Sequence, residues 1–202
     1  MYAAPIEELI KAFQMLPSVG RRTAERYVFF LLRKGKTRVS RLSAALSSLH
    51  KDARSCEQCW VFAAHSPCST CADSRRDATT ICVVVHPQEQ HVIEQMGIFT
   101  GHYHVLREHT NAELDPDSGA IKVKELIARA ISPDIKEVIL AINPTVEGES
   151  TMLYVERKLR EQAPHVTVSR LARGLPMGSD IQYIDAITLD SAITHRQKTG
   201  PQ

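Results

Sequence analysis

Cys56-x2-Cys59 and Cys68-x2-Cys71 are two cysteine pairs separated by eight residues. Each Cys-x2-Cys turn presents two thiolates from one short loop, and four thiolates suit a tetrahedral zinc ion. The spacing therefore predicts one structural Zn2+ on Cys56, Cys59, Cys68 and Cys71. Unmetallated packing cysteines or a redox pair are the alternatives. With sulfur in all four positions no coordination site is left for a substrate, so such an ion holds structure and does no chemistry. His65 lies inside the knuckle but is read as a solvated loop histidine, and Cys82, alone in an apolar run, as a small buried hydrophobe.

A second constellation is basic. Leu16-Pro17-Ser18-Val19-Gly20 puts a rigid proline and a permissive glycine in a tight turn, and Gly20 can take positive φ. The helix that follows opens with free backbone N–H groups, a ready phosphate site, and Arg21, Arg22 and Arg26 surround it with permanent charge. Lys34 and Lys36 extend the basic set. Contacts of this kind hold a sugar-phosphate backbone without reading bases. The plain alternative is a helical hairpin with solvated arginines. Gly35-Lys36-Thr37 is no phosphate-binding loop, because position 30 is Phe30 where that motif needs glycine.

The third constellation is acidic. Asn143-Pro144-Thr145-Val146-Glu147-Gly148-Glu149-Ser150 follows an apolar strand and leads into a helix, at the end of an open α/β sheet where ligands bind. Glu147 and Glu149 could hold Mg2+, but two carboxylates alone are a thin magnesium site, and helix capping accounts for them as well.

The elements that must position these groups follow from hydrophobic periodicity. Ile6, Leu9, Ile10 and Phe13 mark one amphipathic helix, Ala24, Tyr27, Val28, Leu31 and Leu32 a second that stops near Gly35, and Leu42, Ala45, Leu46 and Leu49 a third. From Thr79 the period changes. Thr80-Ile81-Cys82-Val83-Val84-Val85 is an unbroken β-favouring run, as expected of a strand buried on both faces of a parallel sheet. A helix over 89–96, a strand over 103–106, a helix over 123–131, a strand over 137–142, a helix over roughly 150–162 and a strand over 165–168 complete an alternating α/β pattern. The stretch from His195 to Gln202 reads as a frayed tail.

Composition sets the outer limits. The 202 residues carry a net charge of +2 and are 43% hydrophobic, an ordinary globular balance. Five cysteines are too few for a disulfide-dense miniprotein, and no apolar run approaches the ~18–20 residues of a membrane span. The first residues, Met1-Tyr2-Ala3-Ala4-Pro5, do not read as a signal peptide, which places the chain in a reducing cytoplasm. The charge is unevenly spread: residues 1–55 hold eleven Lys/Arg against four acids, while residues 81–202 hold twelve against sixteen. A basic first quarter on an acidic remainder predicts a polyanion-binding end and a scaffold end.

The order of these motifs, Leu16-Pro17-x-Val19-Gly20, the Cys56/Cys59/Cys68/Cys71 knuckle, the Asn143-to-Glu149 string and Arg173-Gly174-x-Pro176-x-Gly178, resembles the bacterial recombination mediators of the RecR family over nearly the whole chain. The resemblance implies an α+β multi-module chain. A helix-hairpin-helix module would span 1–55, a four-cysteine zinc finger 56–78, a Toprim-like α/β domain with a mostly parallel sheet 79–172, and a C-terminal oligomerisation segment 173–202. That segment would carry a Walker-B-like strand over Ile181-Gln182-Tyr183-Ile184-Asp185. The resemblance further implies a ring-shaped homotetramer that clamps gapped or single-stranded DNA near the nucleoid and works with RecO and RecF.

Two departures stand out. Ser18 replaces the first glycine of the family's hairpin, and Val85-His86 stands where the family carries a Toprim glutamate, with Glu89 in place of a later aspartate. His109 keeps its family position, while the segment Asn111 to Gly119 is shortened. Carried over residue by residue, Arg22 and Arg26 stand where the family's basic hairpin residues contact DNA; Gly20, Arg21, Lys34 and Lys36 join them as DNA-contact candidates, and Glu147 and Glu149 are Toprim acidic or partner-binding candidates. The expected function is that of a DNA-binding recombination mediator without catalysis. Its rivals are a Mg2+-dependent phosphodiester enzyme using Glu147 and Glu149, and a zinc-stabilised adaptor that ignores nucleic acid.

Overall fold

The computed structural model describes residues 2–110, 120–172 and 174–196. The segment Asn111 to Gly119, Arg173 of the glycine-proline motif and the tail beyond Arg196 lie outside the described residues. The chain divides into two compact units, Met1–Ala53 and Arg54–Gln202.

The first unit is three helices, α1 (Ala4–Gln14), α2 (Arg21–Lys34) and α3 (Lys36–Asp52). Pro5 sits in the first turn of α1, where its missing N–H costs nothing. Ile10, Ala24 and Val28 are buried between α1 and α2, with Ile6, Phe13 and Val19 packed around them. The left-handed residue of the turn is Ser18, at φ 64, and Gly20 is an extended N-cap at φ −76. The freedom of Gly20 to take positive φ is not used: Leu16 O accepts from Val19 N at 3.2 Å, and closing that tight loop reverses the chain at residue 18. Gly35, at φ 81, ends α2 and opens α3 at once, so the third helix starts at Lys36, well before Leu42.

The second unit begins with the antiparallel pair β1 (Arg54–Ser55) and β2 (Phe62–Ala63) and the short helix α4 (Ser69–Ala72). Next come β3 (Asp77–Val84), α5 (Pro87–Met96), β4 (Gly101–Val105), α6 (Val123–Ala130), β5 (Glu137–Leu140), α7 (Val146–Gln162) and β6 (Thr167–Arg170). The four longer strands form one sheet in the order β4-β3-β5-β6, every pairing parallel. β3 explains its own composition. Ile81, Val83 and Val85 face one core with Leu126 of α6 and Met152, Val155 and Leu159 of α7, while Cys82 and Val84 face the other with Tyr103, Val105 and Ile93 of α5. A strand buried on both sides needs apolar residues at every position.

Helix α7 starts at Val146, four residues before the sequence reading placed it, because the Thr145 hydroxyl accepts from Gly148 N at 3.1 Å and caps the helix there. After β6 the expected Walker-B-like strand is absent. Ile181–Tyr183 is a 3-10 turn and Ala186–Thr194 is helix α8. The Asp180 carboxylate accepts from Gln182 N and the Asp185 carboxylate from Thr188 N, so each aspartate caps a helical turn and breaks the extended run.

Candidate metal centre and nucleic-acid interface

The two Cys-x2-Cys turns converge in the second unit. The sulfurs of Cys56, Cys59, Cys68 and Cys71 all lie within 4.8 Å of one another, with Cys59 and Cys68 3.5 Å apart, and none is in a disulfide. Zn–S bonds of about 2.3 Å in a tetrahedron require S···S separations of about 3.8 Å, so the donor set fits one four-coordinate ion. Cys56 N donates to Val61 O at 2.8 Å to close the first turn, and Cys68 N donates to Cys56 Sγ at 3.4 Å. Crowding the sulfurs sets them against each other. A hydrogen bond donated by the Cys71 thiol lowers Cys59, burial raises Cys68, and Cys71, which keeps its proton in the bond to the Cys59 sulfur, is raised by it. A divalent cation resolves the conflict by letting all four ionise together.

The knuckle is fastened to the α/β sheet. Val105 N donates to Cys59 O at 2.8 Å, and Arg129 Nη1 donates to Gln58 O at 2.9 Å and to Tyr103 O at 2.8 Å. Arg107, at φ 76, spreads its guanidinium 4.5 Å from the centre of the Phe62 ring and donates to Trp60 O and Ser55 Oγ. Sequence reasoning missed these arginines. Arg129 occupies the last turn of an amphipathic helix, where a cation needs no special reason.

The basic residues of α2 divide in two. Gly20 caps the helix with no side-chain partner on its first turn, and Arg22 and Arg26 are exposed one turn apart on the same face. Arg21 is engaged instead: it forks onto the Glu7 carboxylate at 2.7 and 3.0 Å and reaches Glu25 at 3.1 Å, joining α2 to α1. Glu7 is held below the usual carboxylate range by that fork. Lys34 lies over Phe30 and Lys36 begins α3. Fourteen residues of helix separate these lysines from Gly20, a distance of about 20 Å. The sequence-predicted contacts therefore form two clusters at opposite ends of α2.

Glu147 and Glu149 lie in the first turn of α7. Glu147 is exposed, and its own backbone N–H and the Thr145 hydroxyl keep its carboxyl below the usual range. Between them Gly148 is dictated by space, since a β-carbon there would sit 1.9 Å from Asn143 O. The side chain of Val85 points into the core, and Glu89 covers that end of β3. Its Oε2 accepts from Val85 N and His86 N, both at 2.9 Å, and its Oε1 from Asn143 Nδ2 at 2.6 Å. Glu89 thus ties β3 to the loop after β5 and spends its lone pairs on protein donors. Among the described residues, the four cysteines are the one group of three or more Cys, His, Asp or Glu whose ligand atoms gather for a metal.

Comparison with known proteins matches this anatomy. Residues 6–50 fit the family profile "RecR, helix-hairpin-helix", residues 79–172 the profile "Toprim domain" and residues 174–197 the profile "RecR, C-terminal". The chain is 39% identical over 198 residues to the recombination protein RecR of Gloeobacter violaceus, covering 98% of this chain and 100% of that protein. It is 40% identical over 205 residues to each of the RecR proteins of Nocardia farcinica and Rhodococcus jostii, covering 98% of this chain and 99% of each relative.

Proposed function

The chain belongs to the RecR family of recombination proteins, and from that premise we propose that it is a non-enzymatic, DNA-binding mediator of recombinational repair. The observation that carries this reading is the start of α2. Arg22 and Arg26 stand exposed beside an uncapped helix N-terminus, in a segment whose eleven basic residues outnumber four acids. Gly20 allows phosphate to approach the backbone N–H groups there. Arg21 stiffens the hairpin through Glu7 and adds charge, and Lys34 and Lys36 contact the sugar-phosphate chain at the far end of the helix.

The four cysteines hold one structural zinc, which metal analysis of the purified chain reads as one ion per chain. The protein works in the cytoplasm at the nucleoid as a homotetrameric clamp. It meets gapped duplex or single-stranded DNA together with RecO- and RecF-type partners, and Glu147 and Glu149 offer them an acidic surface at the start of α7. No described helix is long and apolar enough to cross a membrane.

Gel shifts with gapped DNA test the DNA reading. The Arg22→Ala/Arg26→Ala double variant binds more weakly than wild type, and the slope of log affinity against log salt falls by about 2, one for each phosphate that an arginine no longer neutralises. Equal affinity and equal slope overturn the assignment. The rival, a Mg2+-dependent phosphodiester enzyme, is disfavoured by the engagement of Glu89 with three protein donors. Magnesium-dependent nicking of supercoiled plasmid, abolished by Glu147→Gln, would reinstate it.

A further inference from the structure

Resting on the reading of the cysteine set as a zinc centre, we propose that Arg129 is a positioning residue of that centre. Its guanidinium sets a positive charge against the thiolates and staples the first Cys-x2-Cys turn to β4 through two backbone carbonyls, with His104 fixing its orientation. Gln58, whose carbonyl accepts from Arg129 Nη1 at 2.9 Å, lies between Cys56 and Cys59, while Tyr103 O, at 2.8 Å from the same nitrogen, belongs to β4. One side chain on α6 therefore bridges a ligand-bearing turn and the sheet.

The third neighbour of Nη1 is His104 Nδ1, at 3.3 Å. His104 is wholly buried, and burial holds its imidazole down to about 3, so the ring is neutral at physiological pH. Its Nε2–H donates to Lys122 O at 2.6 Å, which leaves the Nδ1 lone pair facing Arg129. The series Lys122 O, His104, Arg129 and Gln58 O thus runs without a break from the N-cap of α6, across β4, to the knuckle.

Electrostatics favours a cation at this place. Four thiolates around a divalent ion leave a local charge of −2, and burying uncompensated charge is expensive. Burial lowers the Arg129 guanidinium below its ordinary value, and it reaches the centre through Gln58 O, which lies between two of the four ligands, at 2.9 Å. Partners of this kind tune metal affinity without touching the ion. Lysine would bring the charge as a single point on a flexible stem, without the planar guanidinium whose Nη1 gives one hydrogen to each carbonyl while facing the His104 lone pair.

Competition of the zinc-loaded full chain against a colorimetric zinc chelator tests this, with wild type, Arg129→Gln and Arg129→Lys side by side. Arg129→Gln is expected to hold zinc about 10- to 100-fold less tightly, and Arg129→Lys to fall between it and wild type. The cobalt-substituted variants should keep the thiolate-to-cobalt absorption of a four-sulfur site, since the ligands are unchanged. Zinc affinity of Arg129→Gln within threefold of wild type overturns the proposal. So does an Arg129→Lys variant equal to wild type, which also covers the case in which Arg129→Gln does not fold. A wild-type chain that carries no stoichiometric zinc defeats the zinc reading itself, a result distinct from either.

Discussion

A β-carbon in the left-handed region costs about 1 kcal/mol relative to glycine, and Ser18 bears that cost at φ 64 in the turn before α2. Ser18→Gly removes the strain but loosens the unfolded chain by a comparable amount, so its net effect lies between about 0 and +1 kcal/mol. Ser18→Val, which adds β-branching at positive φ, should destabilise the helical unit by more than about 1 kcal/mol. Denaturant titrations followed by helical circular dichroism separate the two; a Val variant as stable as wild type rejects the strained turn. His104 makes a second prediction at this scale. Its folded value of about 3 lies below the ordinary 6.5 for histidine, so between those values the unfolded chain binds more protons than the folded one. Stability is therefore complete above pH 6.5 and declines as the pH falls toward 3, by up to about 1.4 kcal/mol per pH unit for this one group. Stability measured at several pH values should show a shallower acid slope for His104→Asn than for wild type. Equal slopes would mean that the buried imidazole does not govern this window.

Where helices and strands lie was legible wherever apolar periodicity was strong. The run from Ile81 to Val85 announced a strand buried on both faces, and the two cores that share it confirm why no polar residue could interrupt it. The cysteine cluster was equally plain, because ligand spacing is a local property of the chain. Element starts were not. α3 begins at Lys36 and α7 at Val146 because of a left-handed Gly35 and a Thr145 hydroxyl, signals carried by single residues outside the apolar pattern. The carboxylate of Glu89 and the guanidinium of Arg129 were unreadable for a different reason: their partners, Asn143 and Gln58, are 54 and 71 residues away in sequence. The start of α7 tests how tightly the acidic loop is built. Thr145→Ala should cost about 1 kcal/mol through loss of the cap, and Thr145→Ser little. Gly148→Ala should cost at least about 2 kcal/mol, because its new methyl would fall 1.9 Å from Asn143 O and the loop must move to admit it. Thermal unfolding followed by the fluorescence of Trp60 measures both, and a Gly148→Ala chain as stable as wild type would falsify the close approach.

On the scale of the whole molecule, the C-terminal segment presents apolar surface without covering it. Helix α8 has no buried residue, Ile187 is 81% exposed and Tyr183 in the preceding turn 84%, and in the helical unit Leu46 and Leu49 of α3 are 60% and 66% exposed. Single exposed hydrophobics are ordinary, but several on one short segment with no fully buried residue suit a partner surface. In the homotetramer proposed above a second copy would supply one, and the assembly would repeat the basic helical unit around a common DNA, so that affinity grows by avidity without any additional interaction per subunit. On that proposal, charging this segment with Tyr183→Asp/Ile187→Asp should reduce the mass measured by light scattering below that of the wild-type assembly and weaken binding to gapped DNA tenfold or more. Arg22 and Arg26 remain intact in this variant, so its defect should grow with the length of the oligonucleotide, while that of Arg22→Ala/Arg26→Ala persists on the shortest one bound. A variant that keeps the wild-type mass, or falls in mass at unchanged affinity on long gapped DNA, removes assembly from the account of how the protein holds its substrate.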